Sequence, residues 1–430
     1  MNSTLKSMLI AAAAITSVSA FAQDKATLDL LVKKGLITAE ERAKTLDEAA
    51  KARTASGLNK IFVKEDATKR LTFAGRVQTQ YESIGGSTTT SGGTETKAVD
   101  FSNAFMRRLY LGFKADMGEG ISGEIVYNFA DDTLDKSIFT AETGYGTFIL
   151  GYQKVQWGLE ENTSSSKLLT VERSASNRFW AEGASSSNGR LGFGARHTGL
   201  HYANKYVVDA AQTLEFGASV ANAVQGEASA ATTANDIGIF ANLVYTYKIS
   251  DTNKHSLGLN YGTQRDARNA AGTNGVGVGS ASISGFNPYI KSQFDKLIVQ
   301  AEYVATTNEA RGSGVDGLER KPEGYTLLAA YKFTDQVEGV VRYSQLDTDG
   351  QGASFGDLYR DAKNISGNYN KFDSVYVGVN YYFVDHNAKI MFGYEKAKAS
   401  EGLSAATLGA AQNGSKADAD IFRLQAQVLF

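Results

Sequence analysis

The 430-residue sequence has no cysteine, only two prolines and only two tryptophans. The lack of cysteine excludes a disulfide framework and thiolate metal sites. Proline cannot donate a hydrogen bond to a neighbouring strand, so its near absence permits long β-strands. The sequence also lacks an apolar run of the ~20 residues that a membrane-spanning helix requires. A formal net charge of −2 gives no basic excess, so no nucleic-acid partner is expected.

The first 22 residues have the organisation of a secretory signal. Lys6 supplies a positive charge, residues 8–15 (MLIAAAAI) are apolar, and residues 20–22 (AFA) match a signal-peptidase site. The apolar stretch is much shorter than the ~20 residues of a membrane anchor. We therefore expect residues 1–22 to be a signal peptide, with the mature chain beginning at Gln23.

Residues 23–69 differ from the rest of the chain, because they have few aromatic side chains and many helix formers. Leu28 and Leu31 lie at helical spacing, and Thr38 with Glu41 forms a capping box that would begin a second helix. We predict an N-terminal periplasmic helical segment. It is either an arm for oligomerisation or cell-wall contact, or a solvated spacer.

From Arg70 onward, apolar and polar residues alternate. In residues 71–82, Phe73 and Val77 fall on one face and Arg76 on the other, as in a β-strand with one apolar and one polar side. A soluble sandwich shows the same alternation, so a single strand decides nothing. The pattern recurs about sixteen times, an even number typical of bacterial outer-membrane barrels. We predict an all-β transmembrane antiparallel barrel over residues 70–430.

The predicted connections alternate between tight turns and long loops. One predicted strand covers residues 190–200, and tight turns are expected near 251–253 and 385–387. The long segments are 83–103, 266–282, 310–323, 348–371 and 399–417. Bacterial barrels have short periplasmic turns and long outer loops, so these segments are predicted to be outer loops.

The last strand carries the most specific local pattern. In DADIFRLQAQVLF, residues 418–430, Phe422, Leu424, Val428 and Phe430 lie on one face. An amphipathic last strand that ends in phenylalanine resembles the assembly signal of outer-membrane proteins. The pattern therefore predicts contact with the barrel-assembly machinery and a location among outer-membrane lipids.

An enzyme and a purely structural barrel or adhesin are the rival functions. His197 and His201 lie near many serines, but the strand pattern places His197 on the lipid-facing side. His255 and His386 are isolated, so no metal site is predicted. We predict no catalytic residue and no cofactor, and the structural barrel or adhesin stays as the alternative to a channel.

The segment GYQKVQWGLEENTSSSKLLTVERSASNRFW, residues 151–180, resembles the phosphate-selective porin O and P family. The similarity consists of Gly151 with Lys154, GLE at 158–160, a Ser/Thr-rich stretch and ER at 172–173. The resemblance implies an outer-membrane porin that passes small hydrophilic solutes, among them small anions such as phosphate. It also implies a homotrimer of sixteen-stranded barrels with inward-folded loops and a ladder of basic side chains.

Strand phase assigns several basic residues to the lumen. If the apolar residues face lipid, the predicted pore-lining residues are Arg76, Arg108, Lys114, Arg196, Arg342 and Arg423. Acidic residues share this phase, so the mixture does not by itself establish anion selectivity. Pairing of charges across the wall is the alternative role for each of them.

Residues 154–190 are too long for a turn and too polar for the lipid-facing surface, so we expect an inward-folded loop that narrows the barrel. Its basic residues, the predicted constriction, are Lys154, Arg173, Arg178 and Arg190. A ring of arginine or lysine makes an anion pore, and the arginine fork matches phosphate oxygens. Nearby glutamates could cancel these charges by local pairing, so selectivity for anions or phosphate is a hypothesis.

Overall fold

The computed structural model describes residues 32–34, 38–40, 70–182, 189–223, 237–267, 280–311, 319–404 and 411–430. The chain divides into two units, Met1–Leu71 and Thr72–Phe430. In the first unit, positions 32–33 and 39–40 are helical. The predicted signal peptide and most of the predicted segment 23–69 lie outside the described residues. None of the described helices is long and apolar enough to cross a membrane.

The described part of the chain consists mainly of β-strands, as expected for long alternating segments with few prolines. The strands are β1 (Arg70–Thr89), β2 (Glu95–Lys97), β3 (Phe101–Gly118), β4 (Ile121–Asn128), β5 (Thr133–Thr143), β6 (Gly146–Lys154), β7 (Arg196–Val207), β8 (Gln212–Asn222), β9 (Ile237–Ser250), β10 (Asn253–Ala267), β11 (Ser280–Phe294), β12 (Leu297–Arg311), β13 (Glu319–Arg320), β14 (Glu323–Lys332), β15 (Val337–Asp347), β16 (Ala353–Ser354), β17 (Asn368–Val384), β18 (Ala388–Leu403) and β19 (Lys416–Leu429). Three short helices lie between strands: α1 (Leu159–Asn162), α2 (Ala175–Ala181) and α3 (Phe355–Leu358).

The sixteen long strands form one closed antiparallel barrel. The short strands β2, β13 and β16 each add a few pairs to a neighbouring long strand. β1 pairs with β3 on one side and with β19 on the other, from Arg76 opposite Leu429 to Thr89 opposite Lys416. Closure removes the unpaired strand edges that a lipid environment cannot satisfy. The predicted sixteen-stranded transmembrane barrel is confirmed.

The barrel wall is apolar outside and polar inside. On β17, Val375, Val377 and Val379 are each about half exposed, whereas Tyr376 and Asn380, on the opposite face, are buried. Buried polar side chains also line the inner side of β1 and β19. This arrangement follows from the period of two in the sequence, and it is the one that a lipid-embedded, water-filled barrel requires.

Phe430 closes the seam of the barrel. Its backbone exchanges two hydrogen bonds with Gly75, at 2.8 and 3.0 Å. Its ring covers Gly75 so closely that a Cβ there would lie 2.3 Å from a ring carbon. Glycine at position 75 therefore allows the terminal aromatic ring to seal the joint between β1 and β19. Contact of this strand with the assembly machinery stays a prediction.

Two loops fold into the barrel. The first, called the inner loop, comprises the described residues 155–182 and 189–195 between β6 and β7. The second inner loop, residues 348–367, joins β15 to β17 and contains α3. Most of the segment predicted to be an outer loop, 348–371, therefore leaves the long-loop end of the barrel and folds inward over residues 348–367. Apolar side chains such as Phe355 and Ile365 are buried inside the barrel and draw this loop inward.

The predicted strand 190–200 is wrong over its first half, because β7 begins only at Arg196. Leu191, Phe193 and Ala195 alternate as a strand would, but all three side chains are buried. The ring of Phe193 packs edge-on against Trp157, with ring centroids 4.8 Å apart. The alternation therefore belongs to the packing of the inner loop and not to a strand of the wall.

Candidate functional site

The inner loop is held against β12 at its first helix. The backbone N–H groups of Leu159 and Glu160 donate to the Glu302 carboxylate, at 2.6 and 3.1 Å. Further along the loop, the Trp180 indole N–H donates to Thr306 Oγ1, also on β12, at 3.0 Å. These contacts satisfy buried polar groups of a segment that has no strand partner of its own.

The middle of the inner loop reaches another part of the wall. Asn380 on β17 donates to the Leu169 carbonyl at 2.9 Å, and Lys389 on β18 donates to the Leu168 carbonyl at 2.8 Å. Gln427 on β19 donates to the Ser166 carbonyl at 3.1 Å. Contacts with both β12 and β17–β19 mean that the loop crosses the lumen, and a crossing loop narrows a wide barrel.

A buried network of charges joins the two inner loops to the wall. Glu172 of the inner loop pairs with Arg107 on β3 at 2.5 Å and with Arg360 of the second inner loop at 3.1 Å. Glu182 pairs with Arg178 at 2.5 Å and also with Arg360. Burial opposes ionisation of both carboxyls, but these guanidinium groups hold the pKa of Glu172 and of Glu182 well below the ordinary value.

Glu161 forms ion pairs with two of the predicted constriction residues. Lys154 Nζ lies 2.7 Å from one carboxylate oxygen, and Arg173 Nε lies 3.3 Å from the other. Arg173 also donates to the Thr163 carbonyl at 2.9 Å. Although burial favours the neutral acid, Arg173 and Lys154 keep the pKa of Glu161 below its ordinary value. Both cations therefore stabilise the conformation of the inner loop in addition to lining the lumen beside it.

Four linked cavities follow the inner loop through the barrel. The vestibule, about 550 Å³, is formed mainly by the second inner loop. It shares Arg190 and Arg360 with the central cavity, about 470 Å³. The central cavity shares Lys154 and Arg196 with the lower cavity, about 310 Å³. Because successive cavities have side chains in common, they lie next to one another in a row along the loop, and this row is called the path.

The fourth, the periplasmic-side cavity of about 430 Å³, shares Asn162 and Ser164 with the lower cavity. It includes His386 from the tight turn between β17 and β18. Short turns mark the periplasmic end of a bacterial barrel. The path therefore runs from the end with the long loops to the end with the short turns.

Basic side chains outnumber acidic ones along the narrow part of this path. The cations of the central cavity are Arg107, Arg108, Lys154, Arg173, Arg190, Arg196 and Arg360. Its acids are Asp131, Asp135, Glu161 and Glu182. In the lower cavity the cations are Arg76, Lys136, Lys154 and Arg196, with Asp135 as the acid. The excess of positive charge favours anions in both cavities.

Arg76 and Arg108 differ from the other cations of the path. Arg108 donates to the Gln78 side chain at 2.8 Å, and Arg76 donates to Ser165 Oγ at 2.9 Å. The Arg76 guanidinium also lies over the Tyr110 ring, 4.2 Å from its centroid. In the described part of the chain, neither arginine has a carboxylate within salt-bridge distance. Their partners orient them and leave their charge uncompensated.

The basic residues predicted from sequence to line the pore or its constriction fall into three groups by their position in the structure. Those on the central or lower cavity are Arg76, Arg108, Lys154, Arg173, Arg190 and Arg196. Arg178 lines the vestibule and pairs with Glu182 and, at 3.5 Å, with Asp357. Arg342 and Arg423 are buried in ion pairs that anchor the loops, and Lys114 is exposed and lines none of the four cavities.

Two cations of the central cavity are absent from the residues predicted from sequence. Period-two alternation puts Arg107 with the lipid-facing Leu109, yet Arg107 and Arg108 are both buried, so the alternation breaks there. Arg360 lies in the segment predicted to be an outer loop. The position predicted for His197 is also wrong: the side chain is buried, and its two ring nitrogens lie 2.9 and 3.1 Å from the carbonyl oxygens of Asn222 and Gly192.

A closed sixteen-stranded barrel with an apolar exterior and a lumen narrowed by folded-in loops defines a channel-forming outer-membrane protein, a porin. The family model of the phosphate-selective porins O and P matches residues 75–430, and the chain belongs to this family. Membership confirms the predicted outer-membrane channel and indicates a channel rather than an enzyme. Nothing favours the alternative of a structural barrel or adhesin.

Solved porin structures share the fold at low sequence identity. The anion-selective porin from Comamonas acidovorans is 15% identical, with a TM-score of 0.53 over 84% of this chain and 100% of that one. The OmpT loop L8 deletion mutant of Vibrio cholerae is 14% identical, with a TM-score of 0.50 over 84% and 100%. No curated protein matches the sequence. At these identities the similarity establishes the fold alone.

Proposed function

We propose that this porin conducts small anions in preference to cations, with phosphate among the solutes that it passes. The observation that carries the proposal is the excess of basic side chains on the central and lower cavities, including two arginines without a carboxylate partner in the described part of the chain. A fixed charge in a narrow lumen acts at a lower effective dielectric constant than in water. Basic rings consequently admit anions and repel cations.

The pairing of charges decides which groups contribute most. In the central cavity Lys154 and Arg173 share Glu161, and Arg196 pairs with Asp135 at 2.6 Å. The Arg196–Asp135 pair contributes a dipole, whose field decays faster than that of an isolated charge, and the group of Lys154, Arg173 and Glu161 keeps one net positive charge. Arg76 and Arg108 contribute full charges, so we propose that they supply most of the field. Arginine also offers forked donors that match phosphate oxygens.

A planar-bilayer recording of the purified porin in a KCl gradient tests this function. We expect the reversal potential to have the sign of chloride selectivity, since the lining has a net positive charge. Adding inorganic phosphate should lower the chloride current by competing for the same cavities. A reversal potential of the opposite sign, or one at zero, would refute anion selectivity while leaving the channel itself intact.

We also propose that the functional unit is a homotrimer in which β4–β6 face a second copy. β4 has 8 residues and β6 has 9, whereas β17 has 17. A tilted strand needs about 9–11 residues to cross the hydrocarbon core, so β4 is short for full contact with lipid. Phe139 on the intervening β5 exposes half of its side chain.

The mass of the detergent-solubilised porin tests this assembly. We expect the mass of three chains for the wild type and a shift toward monomer for Phe139→Gln, because a buried aromatic contact would be lost. Val377→Gln on β17 is the matched control: Val377 is equally exposed but lies on a full-length strand. A monomeric wild type with intact conductance would exclude the trimer.

A further inference from the structure

The periplasmic-side cavity has an apolar wall, which is unusual inside a water-filled barrel. Ile298 on β12 and Leu328 on β14 occupy lumen-facing positions, since their neighbours Val299 and Leu327 are exposed on the outer side. Such positions are ordinarily polar in porins. Together with Leu169 of the inner loop they form a hydrophobic cluster, and Leu168 lies next to it on the same cavity. This patch covers one side of the cavity.

Two lysines lie on another part of the cavity wall. Lys167 of the inner loop and Lys291 on β11 line it, both are exposed, and no described carboxylate pairs with either. The cavity also contains two carboxylates, and both are held by hydrogen-bond or ion-pair partners of their own. Glu302 accepts the two backbone N–H groups at α1. Glu160 accepts the Ser174 N–H at 3.1 Å and pairs with Arg342 at 3.3 Å.

The size and place of the cavity suit a small organic molecule. Its volume of about 430 Å³ falls in the range of ligand pockets, about 300–1,000 Å³. Asn162 and Ser164 line both this cavity and the lower cavity, so we expect a solute that has passed the constriction to reach it next. Inorganic phosphate would form ionic contacts with the lysines but would have no apolar surface to pack against the leucine and isoleucine side chains.

We propose that the periplasmic-side cavity binds small amphipathic organic anions, namely carboxylates attached to an aromatic or short aliphatic body. The carboxylate would lie toward Lys167 and Lys291, and the body would pack against Leu168, Ile298 and Leu328. The site goes beyond selectivity among inorganic ions. It depends on these side chains and not on the cations of the central cavity.

Calorimetric titration of the refolded, full mature porin tests the site with three probes. Benzoate has both the charge and the apolar ring, acetate has the charge alone, and benzyl alcohol has the ring alone. We expect benzoate to bind about tenfold more tightly than either analogue, because only benzoate combines ring burial with a carboxylate. Equal affinities for benzoate and acetate would overturn the proposal.

Three variants assign the binding to this cavity. Lys291→Gln should lower the affinity for benzoate severalfold without changing the affinity for benzyl alcohol. Ile298→Thr should lower the affinity for both compounds without changing the affinity for acetate. Lys114→Gln is the control, because Lys114 lies on a lumen-facing position outside all four cavities. Benzoate binding that survives Lys291→Gln and Ile298→Thr in correctly folded protein would place the ligand elsewhere. Since no current is measured, a failure here is distinct from a failure of anion selectivity.

Discussion

Replacing Arg76 and Arg108 together by glutamine should remove most of the anion preference of the channel. Both guanidinium groups line the conducting path, and no described carboxylate neutralises them. At a partly desolvated constriction one fixed charge changes the free energy of ion entry by about 1 kcal/mol. Loss of two charges should lower the chloride-to-potassium permeability ratio by tenfold or more, at about 1.4 kcal/mol per factor of ten. The reversal potential in a KCl gradient measures this change.

Two controls separate the local effect from a change in total charge. The double variant Lys114→Gln and Lys371→Gln removes the same charge from positions outside the four cavities. It should leave the permeability ratio nearly unchanged, because screening at ordinary salt acts over roughly 8–10 Å. Arg76→Lys with Arg108→Lys keeps both charges and should retain most of the preference. Equal reversal potentials for the glutamine pair and the wild type would contradict the assignment.

The strands and their inward and outward faces can be predicted from sequence because the signal is local. A strand with one face in lipid and the other in water has to alternate with a period of two, and the sequence repeats that pattern about sixteen times. Alternation alone therefore places Arg76, Arg108 and Arg196 on the lumen side. The same alternation at Leu191 and Phe193 is misleading, because a loop packed into the barrel can also alternate apolar residues with small ones.

The partners of the charged side chains cannot be predicted in the same way, since they come from distant parts of the chain. Glu172 meets Arg107, 65 residues earlier, and Glu182 meets Arg360, 178 residues later. The sequence places Arg173 and Arg178 among the predicted constriction residues, but each has a carboxylate partner in the structure. Strand phase gives the direction of a side chain, and only the fold of both inner loops decides which charges remain uncompensated.

Of the substitutions proposed for this porin, Arg342→Met should lower the free energy of unfolding the most. It should also loosen the inner loop. The Arg342 side chain is fully buried and pairs with Glu395 on the neighbouring wall at 2.9 Å and with Glu160 of the inner loop at 3.3 Å. It also donates to Thr170 Oγ1 and to the Glu172 carbonyl, at 3.2 and 2.8 Å. Methionine fills much of the volume but leaves the Glu160 carboxylate without a cation.

Removal of one partner from a buried ion pair costs about 3 kcal/mol, because the other charge stays desolvated. We expect Arg342→Met to lower the free energy of unfolding in lipid vesicles by about that amount, measured by denaturant titration. Single-channel current should become larger and noisier as the loop leaves the wall. Lys371→Gln, which breaks exposed pairs with Asp347 and Glu401, should change stability by less than about 1 kcal/mol. If the two variants unfold at the same denaturant concentration and conduct alike, Arg342 does not anchor the loop, and its other contacts with β12 and β17–β19 must hold it.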